Sequence, residues 1–130
     1  MTVQALIERI LASSQGDRML DTAIAEALGW QRKVEIVADN ETGGERKLVV
    51  WLIPGGEEAR EPPHYTTNFQ DSYNLVMFLV PGASGGFSWE KEQASVKLDD
   101  DKYLQAATPQ LALCASALHL ALSRASRSAR

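Results

Sequence analysis

The sequence predicts an α+β fold in the order α-α-β-β-α-β-β-α, with a mostly antiparallel sheet of about four strands packed with helices, as in an α/β/α sandwich. Three short stretches carry this prediction, each written as a helix terminus: Leu20 to Trp30, Pro62 to Phe69 and Ala107 to Cys114. Around them the apolar pattern changes from helical spacing to strand alternation and back.

Thr2 is placed to cap a first helix whose apolar stripe is Val3, Leu6, Ile7, Ile10 and Leu11, stopped by Ser13, Ser14 and Gly16. Asp17 caps a second helix with Leu20, Ile24 and Leu28 on one side and Ala23 and Ala27 beside them. Gly29 stands where a helix reverses through a left-handed residue, and Trp30 follows for the apolar contact of such an ending. Lys33 to Ile36 then alternates like a half-buried strand, while Leu48 to Ile53 is apolar throughout, as in a strand covered on both faces. The turn residues Asp39 to Gly44 between them predict a hairpin.

Pro54-Gly55-Gly56 ends the second strand and a polar loop rich in Glu and Pro runs to Pro63. Thr67 with Gln70 reads as a capping box for a helix carrying Phe69, Tyr73, Val76, Met77 and Val80 on one face, ended by Pro81-Gly82. Gly85-Gly86 precedes a second hairpin, with Phe87 and Trp89 in one strand and Val96 and Leu98 in the other. Thr108 caps the last helix, with Pro109 in its first turn. Leu111, Cys114, Ala115, Leu118 and Leu122 form its main stripe, and Leu113, Ala117 and Leu120 widen the apolar surface. Burying those residues requires either the first helix or a copy of the chain, and the first helix, with its own stripe to bury, is favoured.

Length fits one domain over residues 1–130, with 45% hydrophobic and 23% charged residues. A net charge of −4 argues against a dedicated nucleic-acid binder, and a single cysteine excludes an internal disulfide and fits a reducing compartment. No apolar run approaches the ~20 residues of a membrane span. Glu8 and Arg9 interrupt the early apolar stretch that a signal peptide would need, so a cytoplasmic location is expected.

With these motifs placed, the chain resembles the phage ABA-sandwich family, small α/β proteins of phages and prophages. The resemblance rests on Leu-Asp-x-x-Ile-Ala-x-x-Leu-Gly-Trp from Leu20 to Trp30, Pro63-His64-Tyr65-Thr66-Thr67 before a helix, Gly-Phe-Ser-Trp from Gly86 to Trp89, and Ala107-Thr108-Pro109 through Leu111-Ala112-Leu113-Cys114. In order these cover about Asp17 to Leu122. Relatives often carry an acidic residue where this chain has Asn68, and the charged loops Gly43 to Arg46 and Asp99 to Lys102 are outside the pattern. The family has no established activity, so the resemblance implies a fold and a phage origin and transfers no catalytic residue.

Among the residues themselves, His64 between Pro63 and Tyr65 is the best candidate for a functional side chain, as an acid or base near a helix N-terminus. No nucleophile or orienting partner is recognisable beside it, which favours a loop histidine that orients the backbone. Cys114 lies among Leu111, Ala115 and Leu118, where a thiol is a small core residue, and His119, five positions on, does not face it. Asp99-Asp100-Asp101 lacks the alternation, glycine and distal glutamate of a calcium loop and reads as a solvated turn. One cysteine and two histidines supply a zinc site poorly. Pro54-Gly55-Gly56 matches no phosphate-loop pattern, and Glu57-Glu58 would repel phosphate. Trp30, Trp51 and Trp89 fall at apolar-patterned positions without interleaved basic residues, which argues for packing over base stacking.

The functional expectation is an accessory protein that is not an enzyme and holds no cofactor, acting by binding a protein, such as a host factor or defence component. His64, Tyr65, Arg124 and Arg127 are the candidate contact residues. The alternative is a nucleic-acid-associated protein using the tail arginines Arg124, Arg127 and Arg130. A hydrolase built on His64 would require a carboxylate such as Asp71 beside it in a pocket. A monomer is favoured over a homodimer, and no membrane association is expected.

Overall fold

The computed structural model describes residues 1–128 and divides into two compact units, one of Met1–Ile24 with Pro63 onward and one of Ala25–Pro62. All eight predicted elements occur in the predicted order, joined by two short strands that carry too few residues to show a period. The strands form two separate three-stranded antiparallel sheets, not the single sheet of about four strands that the sequence predicts.

In the larger unit α1 spans Val3–Ala12, and its cap is Thr2, whose side chain accepts the N–H of Ala5. The second helix, α2 (Arg18–Ala27), starts on Asp17, whose Oδ1 takes the N–H of Leu20 at 2.7 Å. It crosses into the smaller unit and ends there as predicted. Trp30 N–H bonds Ala25 O and Gly29 N–H bonds Glu26 O, each at 3.0 Å, with Gly29 at φ +95°.

The smaller unit is a sheet in the order β1-β2-β3, with β1 Gln31–Ala38, β2 Glu45–Leu52 and β3 Glu58–Ala59. The predicted hairpin pairs Val34 with Val49 and Arg32 with Trp51 across a turn in which Asp39 binds Gly43 and Gly44 through its backbone. Burial departs from the expected pattern: Val34 and Ile36 of β1 are exposed, and in β2 only Val50 and Trp51 are buried. Pro54-Gly55-Gly56 is the turn into β3, closed by Gly56 N–H on Ile53 O and Ile53 N–H on Glu57 O.

In the larger unit α3 spans Phe69–Leu79, and its cap is Asn68, one residue later than predicted. Asn68 Oδ1 accepts the N–H of Asp71 at 3.0 Å, so no Thr67–Gln70 box forms. Its buried side is Ser72, Leu75 and Val76, with Val80 buried at the C-cap. Of the predicted face, Phe69, Tyr73 and Met77 are exposed instead. The second sheet has the order β4-β5-β6, with β4 Gly85–Glu90, β5 Gln93–Leu98 and β6 Leu104–Ala106. One face of β5 and β6, made of Ala94, Val96, Leu98, Leu104 and Ala106, is buried.

The last helix, α4 (Pro109–Ser128), is capped by the Thr108 hydroxyl on Leu111 N–H and packs on β5 and β6, with α1 and α3 also against it. Every residue from Leu111 to Leu118 is buried, as is Leu120. The second apolar face of α4 is therefore covered inside the single chain, as favoured from the sequence. No helix among the described residues is long and apolar enough to cross a membrane.

Candidate functional site

Three of the sequence motifs meet at one buried polar node. Asp21, in the first turn of α2, is fully buried, and its Oδ1 accepts both the N–H of Thr66 (2.8 Å) and its hydroxyl (2.7 Å). Arg18 Nη1 donates to Asp21 Oδ2 at 2.8 Å and to Pro63 O at 3.2 Å. Asp17 N–H donates to Thr66 Oγ1 at 3.1 Å. From α3 the buried Ser72 hydroxyl donates to Tyr65 O, and from α4 Cys114 Sγ donates to the same carbonyl at 3.2 Å. The backbone of Tyr65 and Thr66 is thus held from three helices by the buried side chains of Asp21, Ser72 and Cys114.

Close approach makes this possible. A Cβ on Gly16 would lie 2.1 Å from the Thr66 carbonyl oxygen, so only glycine lets the α1–α2 turn meet the loop. Burial pushes the Cys114 thiol up to about 12, with Asp21 adding to the rise and the Ser72 hydrogen bond opposing it. The Tyr65 phenol is also raised to about 12, by burial first and then by Asp71, Cys114 and Asp21. A neutral thiol is a poor nucleophile, and both Asp21 oxygens are engaged, so the node is built to hold the chain. Asp21 and Ser72 were missed from sequence. The available signal was a polar residue on an otherwise apolar helical face.

The predicted contact residues are scattered. His64 is exposed, but the Asp71 carboxylate takes its backbone N–H at 2.9 Å, and His64 O accepts from Asn68 N–H, so this segment orients the entry to α3. Tyr65 is buried, which corrects its assignment as a partner contact: its carbonyl is the anchor for Ser72 and Cys114. Arg124 is paired with Asp99 Oδ2, and Arg127 lines a polar cleft of about 500 Å³ with Asp100, Asp101, His119 and Ser123. Arg130 lies outside the described residues. His119 Nδ1 and Asp101 Oδ2 are 2.7 Å apart, so two carboxylates of the Asp99–Asp101 turn face α4 instead of standing free in solvent. Asp99 also ties the turn to β4, exchanging N–H on Ser84 O (2.7 Å) and Ser84 N–H on its own Oδ1 (2.8 Å).

The apolar surface is concentrated elsewhere. All of β4 is exposed, and it is an outer strand of its sheet. Phe87 and Trp89 share the face of β5 that holds Val96 and Ala94, yet both are exposed while those two residues are buried. Phe69 of α3 meets Phe87 with ring centroids 5.4 Å apart, and Phe87 meets Trp89 at 5.8 Å. Beside this row a groove of about 380 Å³ runs between α3 and β4, lined by Tyr73, Val76, Met77, Gly85, Leu98 and Leu113 among others. Sequence reasoning placed Phe69, Tyr73 and Met77 on one helix face and Trp89 in packing but could not tell that they stand exposed, because an apolar stripe reads the same whether its cover is present or absent.

Fold and site together define an α+β protein with a buried polar node around Asp21 and Thr66 and an exposed aromatic row of Phe69, Phe87 and Trp89 beside β4. Comparison with protein-family models, curated proteins and solved structures returns no match.

Proposed function

We propose that this chain is a phage- or prophage-encoded accessory protein of the host cytoplasm that acts without catalysis, by binding protein through the aromatic surface of α3 and β4. The observation that carries the reading is the row Phe69, Phe87 and Trp89 beside an apolar groove, on a strand edge that no other strand among the described residues pairs with. Native edge strands are ordinarily blunted by lysine, proline or a bulge, whereas β4 contains no lysine or proline and its one charge, Glu90, is its last residue. Exposed aromatic clusters of this kind mark protein contacts.

The phage origin rests on the motif resemblance. The absence of catalysis is supported by the residues that could have reacted: Cys114 is sealed and protonated, and Asp71 is engaged by the His64 backbone. The protein-binding reading is favoured over nucleic acid because Asp99 neutralises Arg124, and Arg127 stands beside Asp100 and Asp101.

Selection of binders from an unbiased displayed-peptide library tests the reading. The expected binders saturate and lose affinity on Trp89→Lys or Phe69→Ser. Binders indifferent to both substitutions, or no saturable binder, would remove this surface from the function.

A further inference from the structure

We propose that the partner of this surface is a second copy of the chain, docked by antiparallel pairing of β4 with β4 about a two-fold axis through Ser88. The proposal rests on the protein-binding reading and names its partner. The ladder fixes which backbone groups are available. Asp99 N–H bonds Ser84 O, so by the alternation of an antiparallel pair Gly86, Ser88 and Glu90 bond β5, while Gly85, Phe87 and Trp89 turn their N–H and C=O to the open edge.

A two-fold axis at Ser88 then sets Phe87 opposite Trp89 of the second copy, and Trp89 opposite its Phe87. Both pairs exchange backbone hydrogen bonds, and both put aromatic against aromatic on one face. Glu90 falls opposite Gly86 of the second copy, where nothing lies within 4 Å of an added Cβ and a carboxylate side chain has room. The strand is self-complementary in this register, as a two-fold interface requires. The result is one continuous sheet, β6-β5-β4 joined to its symmetry mate.

The exposed rings supply part of a dimer interface. Trp89 is 69% exposed, Tyr73 46%, Phe69 43% and Phe87 40%. At roughly 150–250 Å² per aromatic side chain, these rings leave on the order of 400 Å² open. That is about half of the ~800 Å² per partner of a standard interface. The β4 backbone and Met77, which is also exposed, extend the same surface.

Light scattering of the purified chain tests the proposal. The expected mass is twice the 14.2-kDa chain mass at high concentration, and Trp89→Lys weakens dimerisation about tenfold or more with unchanged circular dichroism. Ser88→Cys tests the register, because a non-hydrogen-bonded pair across the axis brings the two Cα atoms within disulfide reach. It is expected to form a covalent dimer with oxidised glutathione, whereas Ser95→Cys, one strand inward, is not. A single-chain mass up to the solubility limit, with Ser88→Cys uncrosslinked, overturns the second copy as the partner. If library binders then still depend on Trp89, another protein occupies the surface and the broader reading stands; if none does, both fall.

Discussion

Asp21 and Thr66, 45 residues apart, are joined twice: one carboxylate oxygen accepts both the backbone N–H and the hydroxyl of the threonine. This contact locks the second helix to the loop that enters the third. Both residues are buried, and Arg18 holds the other carboxylate oxygen.

Removing either partner therefore strands buried polar groups. Asp21→Ala leaves the buried Thr66 N–H without an acceptor and removes the carboxylate from Arg18, which keeps Pro63 O, and is expected to cost about 1.5–3 kcal/mol in urea unfolding. Thr66→Val removes one hydroxyl and is expected to cost about 1–3 kcal/mol. Equal, sub-kcal losses for both would show that the contact does not hold the loop.

Two glycines separate conformational strain from steric exclusion. Gly29→Ala places a side chain at φ +95°, with its Cβ 3.2 Å from Pro54, and is expected to cost about 1 kcal/mol. Gly16 has no positive φ, but its Cβ would meet a backbone oxygen that the Asp21 bonds hold in place. Gly16→Ala should consequently be the more damaging substitution by chemical denaturation, and the reverse order would contradict the packing described.

Alkaline pH should loosen the node. The Cys114 and Tyr65 ordinary values are 9.0 and 10.0, and both rise to about 12 in the folded chain. The unfolded chain therefore loses these protons first, so their stabilising effect is complete below pH 9 and disappears as pH climbs from 9 towards 12. Urea midpoints measured across this range should fall, with the onset moved upward in Cys114→Ala. A flat profile from pH 9 to 11 would contradict the burial of both groups.

Leu120 is 1% exposed, on the α4 face that a copy of the chain was considered to cover. Leu120→Lys buries an unpaired charge and is expected to unfold the larger unit, seen as loss of cooperative melting. A folded variant with altered mass would instead place Leu120 at an interface between copies.

Helix ends were legible because capping chemistry is local: Thr2, Asp17, Gly29 and Thr108 each act on a residue within one turn. The start of α3 slipped because Thr67 and Asn68 are both competent caps, and in the fold Asn68 takes Asp71 N–H while Asp71 takes His64 N–H. Short strands β3 and β6 were not legible, since two or three residues show no alternation. The site failed for a different reason. Phe69, Tyr73 and Met77 recur at helical spacing as convincingly as Ser72, Leu75 and Val76, and only the long-range packing of α3 on α4 decides which side is covered. Asp21 was hidden by the same ambiguity, reversed: a charged residue at a buried position has meaning only once Thr66 is beside it.

If the β4 edge is where this protein meets another polypeptide, as proposed, residue-resolved amide hydrogen exchange will show it at single strand positions. Phe87 and Trp89 turn their N–H groups to the open edge, so in dilute protein they are expected to exchange as freely as loop amides, while Ser88 is protected by β5. Raising the protein concentration should slow Phe87 and Trp89 selectively, leaving Ser88 and the α4 amides unchanged. Rapid exchange of Phe87 and Trp89 at every concentration, and with every library-selected binder, would contradict the account.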